Sequence, residues 1–180
     1  MLAMMLLILP LKWLLAAVTA AAFHELCHVA AVYLCHGHIQ KLNLSAGGAK
    51  LDVSTLSYSQ ELLCSLAGPL GGLCLLLFAQ WIPRIAVCAA FQSLYNLLPI
   101  YPLDGGRALW CGTTLLLTEK YAEKFCKITE KVCLCLIIIA ALYAAVILEL
   151  GISALFPAIL ILVHTNFRKT PCKQRLQGVQ

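Results

Sequence analysis

A chain of 180 residues that is 62% hydrophobic and 12% charged, with a mean hydropathy of +0.89, lies outside the range of soluble globular domains. Its net charge of +5 gathers at segment ends, in Lys120, Lys124, Lys127 and Lys131 and again in Arg168, Lys169, Lys173 and Arg175. That placement excludes a nucleic-acid-binding face and fits the flanks of membrane helices.

The expected fold class is an all-α polytopic membrane protein of five or six transmembrane segments with a short β-hairpin loop, in a single domain over 1–180. The opening run from Met1 to Cys35 exceeds one span and is divided by Pro10 and Lys12. It reads as a short leading segment and a helix from about Leu11 to Cys35. A cleaved leader is not expected, since "MLAMMLLILP" lacks a basic n-region. In the polar stretch His36 to Gln60, apolar residues alternate on either side of Gly47-Gly48, the pattern of a short hairpin. Glu61 to Trp81 is the next expected span, with small residues in "AGPLGG" that let helices approach closely.

Arg84 to Leu117 is longer than one span and is interrupted by "NLLPIYPLDGGR", Asn96 to Arg107. Glu119 to Lys131 reads as a charged connector rich in i,i+4 opposite-charge pairs, a solvated helix or a docking surface for a partner. Val132–Leu150 and Ile152 to about Phe167 are the final expected spans. The hairpin loop, the connector and the tail hold ten Lys and Arg, against Lys12 and Arg84 on the opposite side. The C-terminus is therefore expected in the cytoplasm, with the basic tail against anionic lipid. The ten cysteines form no CxxC pair and lie mostly in apolar segments, where free cysteine acts as a small hydrophobe.

The chemistry sits in "AAFHELCHVA". On a helix His24 and His28 share a face, four residues apart, and can offer imidazole nitrogens to one ion. Glu25 is near enough to act on a metal-bound water. This is the H-E-x-x-H pattern of two zinc ligands and a general base. Zinc lowers the pKa of water, the glutamate takes its proton, and hydroxide attacks a polarised carbonyl. Ionisable groups inside a membrane segment cost at least about 2.5 kcal/mol for an acid near the centre and usually mark a function. The alternative is a pair of packing histidines held by Glu25. For a third ligand the best candidate is Asp104, set among the helix breakers Pro99, Pro102, Gly105 and Gly106. Irregular backbone at membrane depth is tolerated only against protein or a water-filled cavity. Pairing of Asp104 with Arg107 in a kinked helix is the other reading.

"HELCH" followed by "NLLPIYPLDGG" resembles the site-2 protease family of intramembrane zinc metalloproteases, in the compact form of the bacterial sporulation sigma-factor processing type. "AGPLGG" matches a glycine-proline element usual between the two motifs, and the likeness covers about Leu11 to Leu117. It implies a site-2 protease-like core, with zinc (Zn2+) held by His24, His28 and Asp104 and with Glu25 as catalytic base. It places Asn96 and Pro102 near the substrate and lets the hairpin around Gly47 and Gly48 add a strand to an unwound substrate helix. Cys27 stands where relatives commonly have glycine. One position from His28, it points about 100° around the helix and is not counted as a ligand.

The function expected from all this is an intramembrane zinc metalloendopeptidase in the cell membrane, of bacterial cytoplasmic type. Its partners are the lipid bilayer and a membrane-spanning or membrane-associated protein substrate; a separate inhibitory membrane protein is left open, and nucleic acid is not expected. The alternative is a non-catalytic scaffold that grips transmembrane segments around a structural metal. His36, His38 and His164 read as helix-end or interfacial residues.

Overall fold

In the computed structural model the described residues are 10–36, 38–45, 48–54 and 56–146. The leading segment to residue 9, Gly47, the last expected span and the basic tail lie outside them. The chain divides into two compact units, Met1–Leu98 and Pro99–Gln180, each with its own packing.

In the first unit, α1 spans Leu11–Leu34. No glycine or proline interrupts it, and its 24 residues rise about 36 Å, enough for a hydrocarbon core of about 30 Å. Pro10, which has no N–H to lose at a helix start, offers its carbonyl to the amides of Trp13 and Leu14 at 2.8 and 3.2 Å. At the far end the His36 amide bonds Tyr33 O at 3.0 Å. The residue itself takes a left-handed φ of 54°, which turns the chain off the helix. Strands β1 (His38–Ser45) and β2 (Gly48–Ser54) pair antiparallel, with Leu42 opposite Leu51.

Helix α2, Tyr58–Cys74, starts three residues before the expected Glu61 because Ser57 and Gln60 form a capping box. The Ser57 amide donates to Gln60 Oε1 at 3.0 Å, and Ser57 Oγ accepts from the Gln60 amide at 3.4 Å. Gln60 Nε2 also donates to Cys35 O at 3.2 Å, so one side chain ties the start of α2 to the end of α1 across the base of the strand pair. A 3-10 turn, Leu75–Phe78, continues α2. Helix α3, Pro83–Asn96, opens on a proline in its first turn and packs against both α1 and α2.

The unit is small inside and large outside. Ala16, Ala20, Cys64, Ser65, Ala86, Ala89 and Ser93 are buried, whereas Leu11, Leu15, Leu26, Leu63, Leu77, Phe91 and Leu94 are exposed. Water would penalise that arrangement, but lipid rewards it: burying a leucine gains nothing against hydrocarbon, while small residues let helices pack closely. Two helices among the described residues, Leu11–Leu34 and Tyr58–Phe78, are long and apolar enough to cross a membrane. Helix α3 has 14 residues and covers only about 21 Å, so the expected interruption after Arg84 falls at Asn96.

The second unit begins with the loop from Pro99 to Leu103, which carries a cis Tyr101–Pro102 bond. Helix α4 follows, Asp104–Leu116. The Leu103 amide returns to Ile100 O at 2.9 Å. The loop then lies so close on the first turn of α4 that a Cβ on Gly106 would fall 2.6 Å from both Ile100 O and Tyr101 N. Helix α5 runs unbroken from Glu119 to Val146, so the expected connector and the start of the next span are one helix. Its Glu123–Lys127 pair, 2.6 Å apart and solvent-facing, contributes no more than about 0.5 kcal/mol.

Backbone atoms of Ile100 and Tyr101 cannot step aside as a side-chain tip can. Gly106→Ala should therefore lower stability by about 1–3 kcal/mol, read as a fall of several degrees in the melting temperature of the detergent-purified protein. Unchanged melting would show that the loop does not rest on α4.

Candidate metal centre

Buried residues of α1 recur at four-residue spacing, Ala16, Ala20, His24 and Val32, with half-buried His28 filling the gap in the series. The same face that packs on α2 and α3 thus carries both histidines. Their rings meet edge to face with centroids 4.8 Å apart, and the two Nε2 atoms are 3.1 Å apart.

The partners of each ring bear on what those nitrogens can do. His28 Nδ1 lies 2.7 Å from Cys64 O of α2. A carbonyl only accepts, so Nδ1 carries the proton, and in the neutral ring His28 Nε2 has a lone pair to offer. Asn96 Nδ2, at the last residue of α3, is 3.1 Å from His24 Nε2. The amide can donate to that nitrogen when His24 is protonated on Nδ1, and a bound ion would take the lone pair in its place. With neither Nε2 protonated, the two nitrogens can serve one cation; with a proton on either, they hydrogen-bond to each other. Two zinc-bound nitrogens at tetrahedral geometry would be about 3.3 Å apart, given Zn–N bonds of about 2.0–2.1 Å. The donor set therefore fits a zinc-type ion, and the tie from Nδ1 to a carbonyl is the usual outer support of a metal-binding histidine.

The rings have room because α2 lacks a side chain beside them. A Cβ on Gly68 would stand 2.8 Å from His24 Nε2 and 2.6 Å from His28 Cε1. Its neighbour Pro69 supplies no amide to the carbonyl of Ser65, loosening the backbone next to the carbonyl that His28 uses. Gly71 faces Cys27 and Gly72 faces Ser93, so the stretch "AGPLGG" meets three different neighbours. The sequence marked these residues as small without showing which of them adjoins the histidines.

Glu25 follows His24 on α1 and is half-buried. Asp104 is the first residue of α4, half-buried, at a helix start where a carboxylate is favoured. Pro102 lies in the loop before it, and Gly48 opens β2; Gly47 is outside the described residues. Of the residues expected to act, the first unit brings together His24, His28 and Asn96.

No family model matches the sequence, and no curated protein does. Among solved structures the chain is similar to the site-2 protease from Methanocaldococcus jannaschii, with a TM-score of 0.59 and 20% sequence identity over 87% of this chain and 79% of that one. The chain shares that protein's fold.

Gly68→Ala should push the imidazoles apart and lower zinc affinity about 10–100-fold, the range of a lost outer support. Metal analysis against a zinc-buffer series measures it. Wild-type affinity in the variant would remove Gly68 from the site.

Proposed function

We propose that the protein is an intramembrane zinc metalloendopeptidase that hydrolyses peptide bonds of membrane-spanning or membrane-associated proteins. The observation that carries this reading is the convergence of two imidazole nitrogens, 3.1 Å apart, on the packed face of a helix apolar enough to cross a membrane. The shared fold with an archaeal site-2 protease supports it. His24, His28 and Asp104 are the proposed ligands. When bound, zinc would polarise the scissile carbonyl and make water acidic enough to serve as nucleophile.

The chain's own residues do the rest. Glu25, next to His24 on α1 and half-buried, takes a proton from water as its oxygen attacks the carbonyl carbon. It returns that proton to the leaving amine as the C–N bond breaks. The Asn96 amide, already at the His24 nitrogen, donates to the carbonyl oxygen as negative charge develops. Pro102 shapes the loop beside Asp104, and the strand pair around Gly47 and Gly48 offers an edge to an unwound substrate segment. Strand pairing exposes a peptide bond that a helix hides while satisfying its hydrogen bonds. The enzyme belongs, on this reading, to a bacterial cytoplasmic membrane with the C-terminus inside, and a separate membrane protein is a fitting inhibitor.

Glu25→Gln should keep about one zinc per chain and lose at least about 100-fold in cleavage of a single-pass model substrate. Asp104→Ala should lose zinc as well as activity, and chelation of the wild type should stop cleavage until zinc is restored. Full activity of the Glu25→Gln enzyme would overturn the mechanism.

A further inference from the structure

At the other end of the first unit, a cleft of about 260 Å³ opens between the start of α1 and the start of α3. Its lining includes Lys12, Leu15, Thr19, Trp81, Arg84 and Ile85. Lys12 and Arg84 lie 72 positions apart in sequence yet border one cavity, and among the described residues no acidic side chain lines it. The remaining walls are mostly apolar. Leu15 and Trp81 are 58% and 75% exposed, and Leu11 and Val18, at helical spacing from Leu15 on α1, are exposed as well.

The level of the cleft matters as much as its lining. Lys12 is in the first turn of one candidate span, and Trp81 stands three residues beyond the end of the other. Both spans therefore reach the same membrane boundary here, the zone where tryptophan and basic side chains concentrate. Two cations at that boundary, with an apolar floor leading toward the hydrocarbon, call for an anion that carries its own apolar chains. A soluble protein element would not fit a space this small.

We propose that this cleft is a binding site for the headgroup of an anionic phospholipid. The phosphate lies between Lys12 and Arg84, Trp81 covers the glyceryl region, and an acyl chain follows Leu15 and Val18. The bound lipid clamps α1 to α3. Twelve residues separate Lys12 from His24, and twelve separate Arg84 from Asn96, about 18 Å along each helix. The clamp thus fixes the relative register of the two helices whose far positions place Asn96 against His24. This inference needs the helices to lie in a membrane and does not depend on the proposed proteolysis.

The test is native mass spectrometry of the delipidated full-length chain, offered phosphatidylglycerol or phosphatidylcholine at equal concentration. Two boundary cations predict roughly a 30-fold preference for the anionic lipid. Lys12→Gln/Arg84→Gln should reduce that preference to a few-fold, whereas Lys12→Arg/Arg84→Lys should keep it. A basic tail acting alone would leave the preference intact in the glutamine variant and overturn the proposal. Displacement of the lipid by millimolar inorganic phosphate would also overturn it, assigning the cleft to a soluble anion. Quenching by brominated phosphatidylglycerol provides a check on the unaltered charge pair: it should exceed that by brominated phosphatidylcholine in the wild type, and the excess should vanish in Trp81→Phe. An equal excess in that variant would place the lipid elsewhere.

Discussion

The first unit depends on one close approach: the backbone of α2 passing the His24 and His28 rings at Gly68. With no Cβ in the way, the Cys64 carbonyl comes within 2.7 Å of His28 Nδ1. That bond fixes which nitrogen of His28 is protonated and so which one faces His24. A larger residue would separate the helix from the rings, and the electronic arrangement of the pair would go with it. Pro69 fits the same logic, since a turn short of one amide can lend its carbonyl region to a side chain at less cost than a complete turn.

Packing around this contact follows from where apolar surface can go. In hydrocarbon, large side chains lose nothing by facing outward, which leaves the interior to alanine, glycine, serine and the histidines. Such an interior has few polar groups, so a charge there is screened less than at a surface in water. The same condition makes a misplaced charge expensive. That fits the placement of His24 and His28 on the face of α1 that packs against α2 and α3.

Much of this was legible in the amino-acid order, and the gaps have physical causes. His24, Glu25 and His28 announced themselves because helical spacing converts directly into a shared face. The break at Asn96 was visible because proline and glycine constrain backbone locally. The true start of α2 carried a signal, Ser57 followed by Gln60, but Tyr58-Ser59-Gln60 has a polar, loop-like composition that masked the cap. Helix α5 reads as two pieces by charge and is one piece by hydrogen bonding, because composition changes at Lys131 while helix propensity does not. The assignment of Gly68 to the histidines was out of reach. Smallness is a property of one residue, whereas the neighbour that requires it lies forty positions away on another helix.

Cys27 and Gly71 show what that pairing means over evolutionary time. A Cβ on Gly71 would run into Cys27 Sγ, so the volume gained at one position is withheld at the other. Were glycine to stand at the position of Cys27, the opposing residue on α2 would be released from that limit and could grow. The two positions should therefore drift as a coupled pair, exchanging bulk across the helix contact. Gly68, whose neighbours are the histidines themselves, has no partner that can shrink to accommodate it.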